Sequence, residues 1–115
     1  RSAKNKICKQ DQLRIQYRPL SVVKPIFFTK SIINQVAHAA TSLGLSWMNI
    51  QSGAGHDAGY MANLCPSAMI FVPCYDGRSH CPEENITIKD AMNGANVLTQ
   101  SLLLLDRNKS YRTKK

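Results

Sequence analysis

The chain has 115 residues, a net charge of +8 and a hydrophobic share of 43%, which is enough for one globular domain but not for two. Its densest apolar runs, 67–73 and 102–105, fall far short of the roughly 20 residues that a membrane-spanning helix needs. The sequence therefore predicts no membrane-spanning segment, and no apolar signal region follows Arg1.

The positive charge lies mainly at the two ends of the chain. Residues 1–30 carry eight Lys or Arg against a single acid, and residues 106–115 carry five against a single acid, whereas the middle is mildly acidic. A nucleic-acid-binding protein more often carries its basic side chains on one structured face. We therefore predict basic tails at 1–11 and 106–115 around a partial domain at 12–105. A small basic protein that binds nucleic acid or another acidic partner remains the alternative.

Four cysteines are spread along the chain: Cys8, Cys65, Cys74 and Cys81. They form no CxxC pair, which a structural zinc site usually contains. The apolar content also makes a disulfide framework unnecessary. Reduced thiols and a cytoplasmic location are therefore the simpler prediction.

The first part of the chain predicts a strand and a helix. Apolar and polar residues alternate over 13–18, which is the pattern of a half-exposed strand. Residues 31–43 place apolar side chains on one helical stripe. Thr29 or Ser31 can cap the start of this helix, and Gly44 can end it.

The rest of the chain predicts two more strands and two more helices. A short strand is expected at 47–50, and a short helix follows the glycine turn over 56–64. The unbroken apolar run 68–72 is typical of a strand buried on both faces of a layered sheet. After a polar loop at 74–86, residues 87–90 resemble a capping box and open a long helix. The stripe of this helix that we expect in the core is Ala91, Ala95, Leu98, Leu102 and Leu105. The order predicts an α/β fold with too few strands for a closed sheet.

The first motif with chemical potential is SGAGHDA at 52–58, directly after a predicted strand. Gly53 and Gly55 allow the backbone to turn sharply and to approach a ligand closely. Backbone N–H groups at the start of the next helix favour an anion, and His56 can hold a polar substrate there. A histidine satisfied by a local hydrogen bond at a helix start explains His56 equally well.

The second motif is DGRSHCPEE at 76–84, in the loop that follows the predicted buried strand. Open α/β sheets bind ligands at this end of their strands. His80 offers a neutral imidazole, which suits a zinc-type ion. A single loop histidine is more often an ordinary surface residue, and Glu83 and Glu84 read as solvated charges before the last helix.

Together, in this order and at this spacing, SGAGHDA, MIFVP at 69–73 and DGRSHCPEE resemble the C-terminal signature of one amidohydrolase family. These are the metal-dependent N-carbamoyl-L-amino-acid hydrolases and allantoate amidohydrolases, related to β-alanine synthase. The resemblance covers about residues 12–105 and is densest over 52–84. It implies the C-terminal portion of a layered mixed-sheet catalytic domain whose lid domain, the homodimer interface of the family, is absent.

The resemblance also implies roles for individual residues. His80 matches the last ligand of a site for two divalent metal ions, zinc or manganese. His56 matches the catalytic histidine that holds the scissile amide or ureido group of a small N-carbamoyl or ureido substrate, and Gly53 and Gly55 match the turn whose backbone meets that substrate. Arg78 stands where Ile is common in the family. This change alters the charge beside His80, so the resemblance leaves the substrate undetermined.

The other metal ligands and the general-base Glu of the family have no match in this sequence. We therefore expect a fragment that is inactive alone and cannot hold the metals by itself. One half of a split enzyme is a further alternative.

Overall fold

The computed structural model describes residue 16 and residues 18–108. Three α-helices lie in this part: α1 at Lys30–Ser42, α2 at Asp57–Met61 and α3 at Ile88–Arg107, with a 3₁₀ turn at Tyr75–Gly77. Most of the predicted strand at 13–18 and most of both predicted tails lie outside the described residues. Within them, no helix is long and apolar enough to cross a membrane.

Helix α1 confirms the predicted helix at 31–43 to within one residue at each end. Thr29 is its N-cap residue, but the Thr29 hydroxyl accepts a hydrogen bond from the Ser67 backbone N–H at 3.2 Å instead of capping the helix. Thr29 N–H also donates to the Ser67 carbonyl at 2.9 Å, so two distant segments meet here. At the other end Gly44 has φ +68°, and the Leu45 N–H bonds back to the Ala40 carbonyl, the usual helix stop.

Helix α3 begins at the predicted position, although the Asp90 carboxylate bonds to the Thr87 hydroxyl and not to the Thr87 backbone N–H as in a full capping box. The Thr87 hydroxyl accepts the Asp90 backbone N–H at 3.1 Å and donates to the Asp90 carboxylate at 2.6 Å. One of the four N–H groups that a helix start leaves unsatisfied therefore has a partner. The helix then runs to Arg107, two residues beyond the predicted end.

The core lies where α1 packs against α3. Ala39, Ala40 and Val97 are buried, and the partly buried Val36, Leu45, Ile70 and Leu104 pack around them. Ser101 is the buried polar side chain of this contact, and its hydroxyl donates to the Val97 carbonyl at 2.7 Å. Small side chains on both helices allow the two backbones to come close, and dispersion contacts depend on such proximity.

The predicted core stripe of α3 is wrong at every position except Leu105, which is half-buried. Leu98 and Leu102 are 51% and 58% exposed, and Ala91 and Ala95 are exposed as well. The helix instead turns Val97 toward α1, where the small side chains of Ala39 and Ala40 allow it to pack closely. The leucine face has no comparable partner among residues 18–108.

The predicted strands are not confirmed, because residues 18–108 contain no β-strand. Trp47 and Met48, in the strand predicted at 47–50, are 51% and 77% exposed. The segment 68–72 is half-buried, except for the exposed Phe71, rather than buried on both faces. A β-strand forms only where its backbone is hydrogen-bonded to a neighbouring strand. Neither segment has such a neighbour in the described part of the chain, so the mixed sheet of the predicted α/β fold stays unconfirmed.

The segment 68–72 is nevertheless held in place by α3. A Cβ added at Gly94 would lie 2.5 Å from Cγ1 of Val72, closer than carbon atoms approach in proteins. Glycine at this position therefore lets the helix lie directly on the segment. That contact fixes the start of the 74–86 loop, which carries His80.

Candidate functional site

The SGAGHDA turn is organised around one hydroxyl. Ser52 Oγ lies 2.7 Å from Nε2 of His56 and accepts the Ala54 backbone N–H at 3.2 Å. His56 is the N-cap residue of α2, with extended backbone angles, φ −135° and ψ 145°. The predicted helix over 56–64 is shorter in the structure, at Asp57–Met61, and leads into turns before Pro66.

Gly59 anchors α2 against the segment that precedes α1. It is buried, and a Cβ there would lie 2.8 Å from Cδ1 of Ile26. The Gly59 N–H donates to the His56 carbonyl at 2.9 Å. His56 is therefore held at its backbone carbonyl by Gly59 and at its ring by Ser52.

Gly53 and Gly55 lie in open space. A Cβ at either position would meet no atom within 4 Å, and neither residue has a positive φ. Within residues 18–108, no turn conformation and no internal contact therefore requires glycine at these two positions. What glycine does provide there is an uncovered backbone that another group can approach closely.

The loop at 74–86 closes on itself. The Tyr75 N–H donates to the Asn85 carbonyl at 2.8 Å, which joins the two ends of the loop. Between them Gly77 has φ +65°, and Asp76 and His80 have φ values of 52° and 58°. The left-handed region costs an L residue roughly 1–2 kcal/mol. Two non-glycine residues in this region within five positions mark a tightly constrained loop.

Glu84 stabilises the constrained conformation of His80. The His80 backbone N–H donates to Oε2 of Glu84 at 2.8 Å, and the Ser79 hydroxyl donates to Oε1 at 3.4 Å. Sequence analysis treated Glu84 as a solvated charge and missed this contact. The available signal was the spacing of four residues from His80 to Glu84 across Pro82, which is typical of a turn.

The structure brings the two predicted site histidines together. The ring centroids of His56 and His80 are 6.1 Å apart with planes at 65°, although 24 residues separate them in sequence. Phe71, at the end of the apolar segment, presents its ring to His56 at 5.5 Å. His80 is exposed and His56 half-buried, so the two imidazoles lie close together at the protein surface, with the partly exposed ring of Phe71 beside His56.

This surface does not by itself form the implied two-metal centre. Among the described residues, no group of three or more His, Cys, Asp or Glu side chains is placed to hold a metal ion. His80 can supply one imidazole, a suitable zinc ligand. Arg78 forms an exposed ion pair with Asp76 at 3.4 Å, so the basic residue that departs from the family has an acidic partner beside it.

The sequence matches one established protein family over most of its length. The sequence pattern of peptidase family M20/M25/M40 matches residues 11–104. The chain belongs to this family. The resemblance predicted from the SGAGHDA and DGRSHCPEE motifs is thereby confirmed.

Individual relatives agree with the family. The chain is 38% identical over 102 residues to a ureidoglycolate hydrolase of Arabidopsis thaliana, covering 88% of the chain and 21% of that protein. It is 38% identical over 98 residues to an N-carbamoyl-L-amino-acid amidohydrolase of Rhizobium meliloti, covering 85% and 24%. A solved amidase of the hydantoinase/carbamoylase family from Burkholderia multivorans matches with a TM-score of 0.81 and 36% identity over 90% of the chain and 25% of that structure.

Two conclusions follow from these matches. The chain has the fold of the corresponding part of amidohydrolases, and its relatives are hydrolases. The chain also spans about a quarter of the length of the relatives that it matches.

Proposed function

We propose that this chain is the C-terminal part of the catalytic domain of a metal-dependent amidohydrolase. The enzyme would cleave the C–N bond of N-carbamoyl amino acids or of allantoate-like ureido compounds. The observation that carries the proposal is the pairing of His56 with His80 at 6.1 Å, in a chain that belongs to a hydrolase family. The basic-protein alternative has no comparable support.

The proposal gives each predicted site residue one task. His80 is a metal ligand through its imidazole, and His56 is the catalytic group that donates a hydrogen bond to the oxygen on which charge develops. The open backbone at Gly53 and Gly55 supports their role as the surface that the substrate approaches. Bound zinc or manganese would supply Lewis-acid polarisation and an activated water.

The remaining features of the proposal concern the whole protein. The other metal ligands and the general-base Glu would come from residues beyond this chain, so the chain alone is proposed to be inactive. Residues 12–105 would form the partial catalytic domain between two basic tails. The segments 47–50 and 68–72 would become strands of its mixed sheet. The complete enzyme is proposed to be cytoplasmic and dimeric through its lid.

A chimera tests the proposal directly. Residues 11–104 would replace the matching quarter of the Rhizobium meliloti N-carbamoyl-L-amino-acid amidohydrolase, and hydrolysis of N-carbamoyl amino acids would be measured with zinc or manganese. We expect metal-dependent turnover by the chimera and none by the isolated chain. The variant His80→Ala should abolish turnover. The matched control is His38→Ala, because His38 is exposed on α1 and lies beside Leu104 and Arg107 of α3, not in either loop of the site.

Two results would contradict the proposal. A folded chimera without turnover, or one in which His80→Ala is as active as His38→Ala, would remove the assigned function of the site. Robust metal-dependent turnover by the isolated chain would show that the claim of inactivity is wrong. If the chimera is active, parallel assays with allantoate and ureidoglycolate would define its substrate class.

A further inference from the structure

Ser52 is not one of the predicted site residues, although its hydroxyl lies at the centre of the SGAGHDA turn. Two groups approach the same oxygen atom: Nε2 of His56 at 2.7 Å and the Ala54 backbone N–H at 3.2 Å. Ser52 and His56 are both half-buried. The contact is therefore partly protected from competing water.

The protons of these groups favour one arrangement. A hydroxyl has one proton to donate and lone pairs that accept, whereas a backbone N–H can only donate. Ala54 therefore occupies an acceptor position of Ser52 Oγ. If Nε2 of His56 accepts, the hydroxyl proton also has a partner. If Nε2 donates, the hydroxyl proton has no acceptor among the described residues and depends on water, which reaches a half-buried hydroxyl less well than an exposed one.

We infer that Ser52 is a positioning residue for His56, whose hydroxyl donates to Nε2 and thereby keeps the imidazole proton on Nδ1. The nitrogen that makes the second hydrogen bond of a histidine decides where its proton lies. A neutral imidazole in water favours the proton on Nε2, so Ser52 reverses the ordinary preference. Phe71 at 5.5 Å also restricts the orientation of the ring.

The consequence for catalysis rests on the proposed function. With Nε2 engaged by Ser52, Nδ1–H is the donor that His56 offers to the carbonyl oxygen of an amide or ureido group. Donors fixed before reaction toward developing negative charge contribute strongly to catalysis. Without Ser52 the proton would return to Nε2, and the donor would be on the other side of the ring.

The tautomer can be measured without any enzyme activity. The full 115-residue chain would be labelled with ¹⁵N-histidine, and the ring couplings of His56 would be recorded at a pH at which its shifts show the neutral form. His56→Gln identifies its signals. We expect the Nδ1-protonated pattern in the natural chain. Ser52→Ala should shift the tautomer ratio toward Nε2–H by about fivefold, and Ser52→Thr should restore it. His38 is an internal reference that should not respond.

The outcomes separate this inference from the proposed function. Nε2–H as the main form of His56 in the natural chain, or a ratio that Ser52→Ala leaves unchanged, would overturn the role of Ser52 even if the chimera is active. In an active chimera, Ser52→Ala should lower kcat more than it changes KM, with recovery in Ser52→Thr. An inactive chimera would reject the proposed function, while the tautomer measurement would still decide whether Ser52 positions His56.

Discussion

Gly94 allows α3 to lie directly on the segment 68–72 that leads to the His80 loop. Replacing Gly94 with alanine tests this contact. In an open helix, Gly→Ala stabilises a protein by about 1 kcal/mol. At Gly94 the added Cβ would lie 2.5 Å from Cγ1 of Val72, about 1 Å inside the normal carbon–carbon distance of roughly 3.5–4.0 Å.

Val72 cannot avoid this overlap by bending a flexible end, because a valine side chain is stiff about its single torsion. Overpacking of this kind typically costs about 1–3 kcal/mol. After subtraction of the helix preference, we expect Gly94→Ala to lower the free energy of unfolding by about 1 kcal/mol. Urea unfolding followed by far-ultraviolet circular dichroism measures this change.

Two further variants isolate the contact. Ala95→Gly, at an exposed position of the same helix, measures the intrinsic helix preference and should destabilise by about 1 kcal/mol. In a Val72→Ala background the overlap disappears, so Gly94→Ala should become stabilising, with a coupling energy of roughly 1–3 kcal/mol. If Gly94→Ala stabilises the natural chain and shows no coupling to Val72, the close approach of α3 to residues 68–72 is refuted.

Two other predictions concern the loops of the site. Glu84→Ala should accelerate hydrogen exchange of the His80 amide by about fivefold, because that N–H loses its acceptor; an unchanged rate would show that Glu84 does not hold the loop. Gly55→Ala should leave stability unchanged or raise it by up to about 1 kcal/mol, because the Cβ meets nothing. The same change should lower turnover in the chimera, and full activity would remove Gly55 from the substrate surface.

Local signals in the sequence were sufficient for the two long helices. Gly44 with its positive φ ends α1, and the reciprocal bonds of Thr87 and Asp90 start α3. Each involves residues within a few positions of one another, so the sequence contains all the information that is needed. The short helix α2 was predicted in the correct place but too long, because its end depends on turns that carry no periodic pattern.

Features that depend on distant neighbours were not predictable in the same way. Leu98 and Leu102 form the more apolar stripe of α3, but the helix packs through Val97 and Ser101, since the small residues of α1 select the closer fit. The apolar run 68–72 has the composition of a strand, yet strand pairing is a property of two chain segments and not of one. The periodicity of a single element shows neither which face of α3 packs against α1 nor whether residues 68–72 pair with another strand.

The site was predicted by resemblance rather than by residue chemistry. Spacing left open whether His56 and His80 were functional, and the resemblance of the motif pair to the family favoured a functional role for both. The structure adds that the two rings are neighbours, along with two residues that sequence analysis had not assigned. Ser52 and Glu84 act through hydrogen bonds within closed turns, and such bonds become visible only when the turn geometry is known.

The left-handed backbone of His80 makes it possible to test whether this residue serves function or structure. Its φ of 58° costs an L residue roughly 1–2 kcal/mol, whereas glycine adopts this conformation without steric cost but loses about 0.5–1 kcal/mol of chain entropy on folding. His80→Gly should therefore keep or slightly raise the stability of the chain in urea unfolding, and should abolish turnover in the chimera. His80→Ala retains the strain and should be no more stable than the natural chain. A stability loss above about 2 kcal/mol in His80→Gly would show that the imidazole holds the loop together, and the strained conformation would then need a structural explanation instead of a catalytic one.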